Sequence, residues 1–193
     1  SHPDSPWQGQ VWQFTIAEFA AVLDDFEDYT DTADMLSTWT KQFEAPSYAD
    51  VNLAQANGHS SFQSMEVSYI TFDTEATEMV LELDSAQDWQ GSDYKSLYVW
   101  WQGNSNNVPA GWYVNLADSG GNNDTIDYIA GPNDPNLSDG GWHEFMIPLA
   151  DFAGVDLSNV KKLTIGFNGS DEVVSGGGNT ARIDDIRLYE ARC

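Results

Sequence analysis

Beyond residue 60 the apolar and polar positions of this chain alternate with the period of extended strands, not of helices. Eight runs carry the pattern: residues 64–72, 78–83, 96–101, 111–117, 126–130, 142–147, 162–167 and 181–189. The segments between them, notably 103–110, 118–124, 131–141 and 168–180, are dense in Gly, Asn, Asp, Ser and Pro, the residues that build turns. This predicts an all-β domain in which antiparallel strands form two sheets packed as a sandwich, or jelly roll. The N-terminal part reads differently. Residues 1–12, with Pro3 and Pro6, read as a linker or arm, and residues 13–193 as a single β-sandwich domain. Trp12, Ile16, Phe19, Ala20 and Leu23 recur at helical spacing, and Thr15 with Glu18 matches a capping box, so a short helix is expected there. Residues 23–29 read as a strand.

Charge narrows the partners. The 193 residues include 31 acidic and 7 basic ones, a formal charge of -24. Phosphate contacts need Lys and Arg, so nucleic acid is not an expected partner. No run approaches the length of a membrane-spanning helix, so membrane insertion is not expected either. The acidic balance suits a secreted or cell-surface protein in a saline or calcium-containing setting. The single cysteine, Cys193, leaves no internal disulfide to form.

Two acidic motifs stand at the ends of the apolar pattern, Leu23-Asp24-Asp25-Phe26-Glu27 and Ile183-Asp184-Asp185-Ile186. A carboxylate within strand sequence is costly unless it faces water or has a cation beside it. Asp25 and Glu27 are two residues apart, which in an extended chain puts them on one side. If the first and last strands lie together, Asp184 joins them in an all-oxygen site suited to calcium. The other reading, that these are solvated strand residues, stands beside it at this point.

The ordered set of pieces resembles a known family. Leu23–Glu27 is followed by Ser64-Met65-Glu66-Val67-Ser68-Tyr69 after the loop Gly58-His59-Ser60-Ser61, then by Asp88-Trp89, Lys95–Trp101, Trp142–Phe152, Val160–Phe167 and Ile183–Tyr189. Together they resemble the calcium-containing jelly-roll carbohydrate-binding modules of the galactose-binding-like superfamily, including the family 11 type. The resemblance implies a structural calcium joining the first and last strands. Asp25 and Glu27 match the first-strand ligands and Asp184 the last-strand ligand. Asp185 could exchange with Asp184 through a bulge, and backbone carbonyls near 58–61 would complete the shell.

The resemblance also implies a polysaccharide or oligosaccharide ligand, held by aromatic rings stacked on sugar faces. Aromatics make up 13% of the chain, eight of them Trp, and a sandwich core needs many of these. Alternation sorts them. Leu97, Val99 and Trp101 take one side of their strand, against Tyr98, Trp100 and Gln102. Trp112, Val114 and Leu116 likewise oppose Tyr113 and Asn115. If the two strands pair, Tyr98, Trp100, Gln102, Tyr113 and Asn115 form one platform. The competing expectation is that loops or the N-terminal helix cover that face. Trp89 and Trp142 read as core, and Trp39 as core or binding rim.

No nucleophile elbow, ordered Ser/His/Asp set or zinc-ligand spacing is present. With 31 acids a carboxylate pair carries no weight as a glycosidase signature. The expectation is therefore a non-catalytic carbohydrate-binding module of a secreted or cell-surface bacterial protein, part of a larger multidomain chain. A structural or adhesive calcium-bound sandwich without a sugar site is the alternative.

Overall fold

The structure, a computed structural model, describes residues 19–43, 47–70, 76–108, 111–130, 134–168 and 179–190. Its strands are β1 (Phe19–Asp24), β2 (Trp39–Gln42), β3 (Tyr48–Gln55), β4 (Gln63–Ile70), β5 (Thr77–Gln87), β6 (Ser96–Gln102), β7 (Trp112–Asp118), β8 (Asn123–Tyr128), β9 (Trp142–Pro148), β10 (Val160–Phe167) and β11 (Asn179–Tyr189). One helix, α1 (Thr32–Thr38), stands between β1 and β2. All eight strands expected beyond residue 60 are present, and every pairing is antiparallel.

Two sheets face each other. The six-stranded sheet runs β3-β4-β11-β6-β9, with β1 also on β11, and the five-stranded sheet runs β2-β5-β10-β7-β8. Alternation decides what lies between them. Leu97, Val99 and Trp101 of β6 are fully buried, as are Val114 and Leu116 of β7 and Leu163 and Ile165 of β10. Each such side chain contributes about 1.5–3 kcal/mol by leaving water. Aromatic contacts span the two sheets: Tyr69 stacks on Phe167 at 4.7 Å, and Trp101 meets Trp112 at 5.8 Å.

The N-terminal expectation is corrected in part. Residues 19–24 form strand β1 and not the end of a helix, because they pair with the outer half of β11, Phe19 opposite Tyr189 and Asp24 opposite Ile186. The rest of that stretch, including Trp12, Thr15, Ile16 and Glu18, lies outside the described residues, as do the arm 1–12 and Cys193. The helix instead follows at α1, where Asp31 caps the first turn by accepting the Asp34 N–H at 2.9 Å and Met35 anchors it in the core.

A bulge in β11 resets its alternation. Ala181 and Ile183 face the core, and so do Ile186 and Leu188, because Asp185 is an inserted residue between the pairs Asp184–Trp100 and Arg187–Tyr98. Asp185 takes a left-handed conformation, φ 46°, which Asp tolerates better than most side chains. Without the bulge its carboxylate would point between the sheets.

Candidate functional sites

The pairing of β1 with β11 brings the two acidic motifs side by side, and the loop from β3 to β4 folds over them. Asp184 accepts the His59 N–H at 2.6 Å and the Ser61 hydroxyl at 3.3 Å. Asp185 faces the His59 Nδ1 at 2.7 Å, accepts the Ser60 hydroxyl at 2.5 Å and pairs with Arg187. Glu27 takes the backbone N–H groups of Phe62 and Gln63 at 2.9 and 2.5 Å. Gln63 answers by donating its amide to the carbonyls of Phe26, Glu27 and Tyr29. Three carboxylates drawn from both ends of the domain thus hold one five-residue loop, 59–63.

Asp25 is not part of this junction. Strand β1 stops at Asp24, and Phe26 has a positive φ of 58°, so Asp25 and Glu27 no longer share a side. Asp25 instead accepts the N–H of Glu27 at 3.3 Å and lines a shallow pocket with Asp24 and Asp28. Among the described residues no three His, Cys, Asp or Glu side chains converge as a metal site would require. By ligand type, though, Glu27, Asp184 and Asp185 suit a hard cation. Asp184 is fully buried, and burial pushes its carboxyl up to about 7.

The five residues expected to form a sugar platform fall into two groups, because β6 and β7 do not pair. They belong to different sheets, so Tyr98, Trp100 and Gln102 lie on the outside of one and Tyr113 and Asn115 on the outside of the other. On the six-stranded sheet Tyr98 is buried, edge-on to Tyr189 at 4.5 Å. Trp100 carries the imidazole of His59 flat against it, 3.5 Å between centroids and 13° between planes, with Trp142 edge-on to the same imidazole. Gln102 accepts from Arg182 at 2.9 Å and donates to the Gly140 carbonyl at 2.7 Å, while Arg182 also pairs with Glu66. Here the aromatic and amide groups are spent on fastening loops to the sheet.

The other outer face is built differently. Tyr113 lies across β10, directly over Gly166, its register partner, and donates its hydroxyl to Glu78 of β5 at 2.6 Å. A Cβ at position 166 would fall 2.5 Å from the ring Cε1 and closer still to Cζ, so only glycine leaves room for the ring there. Burial and the Glu78 carboxylate raise the phenol, which keeps it a protonated donor. Asn115 donates to Thr125 at 2.8 Å and to Asn123 at 3.2 Å. Glu78 and Asn115 both line a cleft of about 360 Å³, together with Gln42, Lys162 and Thr164. A second hollow of about 610 Å³, with Lys41, Phe43 and Ala76, shares Gln42 and Glu78. Sequence reasoning named Tyr113 and Asn115 as candidates but not Glu78, Gly166 or Gln42. A glycine in the middle of Leu163–Phe167 was the available signal, since it marks a close approach.

Of the remaining candidates, Trp89 is buried, and so is Trp39, whose Nε1 donates to Asp24 at 2.7 Å. Trp142 is half-buried against His59, not in the core. The turn before β8 is organised by Asp118, which accepts the N–H groups of Gly120, Asn122 and Asp156 and the Asn122 amide.

No family model matches the chain, and no curated protein matches it either. Comparison with solved structures places it in a fold class, the β-sandwich of carbohydrate-binding modules. Among those most similar is the family 11 module of the cellulosomal cellulase Lic26A-Cel5E of Clostridium thermocellum, at TM-score 0.63 and 15% identity over 92% of this chain and 97% of that one. A family 11 module from Clostridium thermocellum in complex with a β-1,3-1,4-mixed-linked tetrasaccharide follows, at 0.61 and 16%, covering 92% and 98%. An exo-β-agarase matches at 0.62 and 15% over 89% of this chain, which corresponds to 25% of the agarase. At such identities the likeness is one of fold.

Proposed function

We propose that this chain is a non-catalytic module that binds a polysaccharide on the outer face of its five-stranded sheet. The observation that carries the reading is Tyr113, seated over Gly166 beside a polar cleft with its hydroxyl fixed on Glu78. A sugar ring has an apolar face and a rim of hydroxyls, which the half-buried ring of Tyr113 and the groups of Glu78, Asn115, Thr164 and Gln42 complement. Such contacts contribute on the order of 1 kcal/mol each, so micromolar or weaker affinity is expected. The fold neighbours support the class, since one was solved with a bound tetrasaccharide and another is a part of an agarase.

Asp118, which also lines the cleft, is ill suited to serve as a catalytic acid. Glu78 accepts the Tyr113 hydroxyl, and hydrogen bonds from Asn122 and Asp156 hold Asp118 below the ordinary carboxylate range. A glycosidase needs one carboxyl raised to serve as acid. Glu27, Asp184 and Asp185 are the carboxylates that would hold a structural calcium, which there would tie the two ends of the domain together. The acidic surface fits secretion and a place in a larger extracellular protein.

Native affinity electrophoresis against a panel of soluble polysaccharides tests the reading, with Tyr113→Ala and Trp100→Ala alongside. Retardation lost in Tyr113→Ala and kept in Trp100→Ala is the expected result. The opposite pattern moves the site to the six-stranded sheet. No retardation by any polymer makes this a structural or adhesive sandwich.

A further inference from the structure

With 7 basic residues against 31 acidic ones, each cation of this chain has a surplus of partners. Among the described residues five of the six Lys and Arg side chains have a partner, acidic or carbonyl. Arg187 pairs with Asp185 and Arg182 with Glu66; Lys95 lies 3.8 Å from Asp93; Lys41 reaches the Ala49 carbonyl at 3.4 Å. Lys161 lies 3.5 Å from Glu82 and also donates to the Leu83 and Asp84 carbonyls. Lys162 is the exception: its side chain makes neither an ion pair nor a hydrogen bond within the described residues, and it lines the cleft beside Asn115 and Thr164.

Its surroundings explain why it is left over. Its register partners are Ala117 on β7 and Glu82 on β5, and the Glu82 carboxylate is engaged by Lys161. Asp118, the other acid at this end, is saturated by four donors. Lys162, Thr164 and Gly166 are the successive outward positions of β10, and Gly166 carries the Tyr113 ring. The row runs from the Tyr113 ring over Gly166, past hydroxyl and amide groups, to Lys162, whose Cα lies about 13 Å along the strand from that of Gly166 at the strand's rise per residue.

We propose that the cleft takes a glycan bearing an acidic group, a uronate carboxylate or a sulfate ester, and that Lys162 receives this group while a neighbouring ring lies on Tyr113. This rests on the cleft being the glycan site. The charge of the whole protein opposes such a ligand at long range, but at about 0.15 M salt that field is screened beyond roughly 8 Å, whereas a contact pair inside the cleft is screened less. A half-exposed pair of this kind is expected to change affinity by about fivefold.

The test compares matched polymers at physiological salt: alginate and polygalacturonate with their carboxyl-reduced forms, a sulfated galactan with its desulfated form, and a neutral mixed-linked β-glucan. Wild type, Lys162→Gln and Tyr113→Ala are run together, with thermal melting to confirm folding. The expected result is that one acidic polymer binds about fivefold more tightly than its neutral twin. Lys162→Gln should bring the twins level, and Tyr113→Ala should weaken both. The carboxylate and sulfate arms identify the acid. Equal binding of all twins by wild type, a preference that survives in Lys162→Gln, or binding of neutral polymers alone overturns the inference and leaves the module reading intact. Binding to nothing overturns both.

Discussion

The ring of Tyr113 occupies the space that any side chain at position 166 would need. Gly166 is paired on one side with Tyr113 and on the other with Glu78, so a single bare backbone position lets the phenol bridge three strands. A substitution at 166 acts on the ring without touching its chemistry. Gly166→Ala should tilt Tyr113 off the sheet, break its hydrogen bond to Glu78 and weaken polysaccharide binding by about as much as Tyr113→Ala, roughly tenfold. Titration of both variants against the polymer that binds wild type checks this. Undiminished binding by Gly166→Ala would show that the Tyr113 ring is not the platform.

His59 is expected to matter for stability and not for the ligand. Its imidazole is stacked on Trp100 and fixed by Asp185, so it fastens loop 59–63 to the six-stranded sheet. His59→Ala should cost about 1–2 kcal/mol, a drop of a few degrees in Tm, with polysaccharide affinity unchanged. A loss of affinity at unchanged Tm would return Trp100 and its neighbours to the candidate site.

The alternation beyond residue 60 made eight strands legible because most of them bury one face completely, and an apolar residue at every second position has no other use. Strand β3 escaped detection because its buried positions include the small Ala49 among polar neighbours, and β2 because only Trp39 of its four residues is buried. The sheet to which each strand belongs was not legible. Strands β6 and β7 are consecutive, yet the chain between them crosses from one sheet to the other, and the Asn107 amide in that crossing is held by the carbonyls of Leu137 and Thr180. That crossing split the expected platform. The meeting of the two acidic motifs followed from strand order, whereas the loss of Asp25 turned on one backbone angle at Phe26.

Calcium has a separate readout. If Glu27, Asp184 and Asp185 hold the ion, excess chelator should lower Tm by several degrees, because a ligand that binds only the folded state stabilises it. Asp184→Asn should remove most of the chelator response, while Asp25→Asn, whose carboxylate instead accepts the Glu27 N–H, should keep it. Identical melting curves with calcium and with chelator would leave the junction as a hydrogen-bonded clasp without metal.

Asp118 sets an acid limit on the turn before β8. Its carboxylate is held below the usual range by the Asn122 amide, the Asp156 N–H and further backbone donors. The folded protein therefore holds this group's charge more firmly than the unfolded chain does, and the sign follows from linkage. The stabilisation is complete above the ordinary aspartate value of about 3.9 and is lost as pH falls through the lower folded value. Asp118→Asn should lower Tm at pH 7 and narrow the difference from wild type as the pH is taken below about 4. Thermal melts of the two proteins across that range test it. A gap in Tm that stays constant down to the lowest pH would mean that Asp118 acts through shape alone, not through charge.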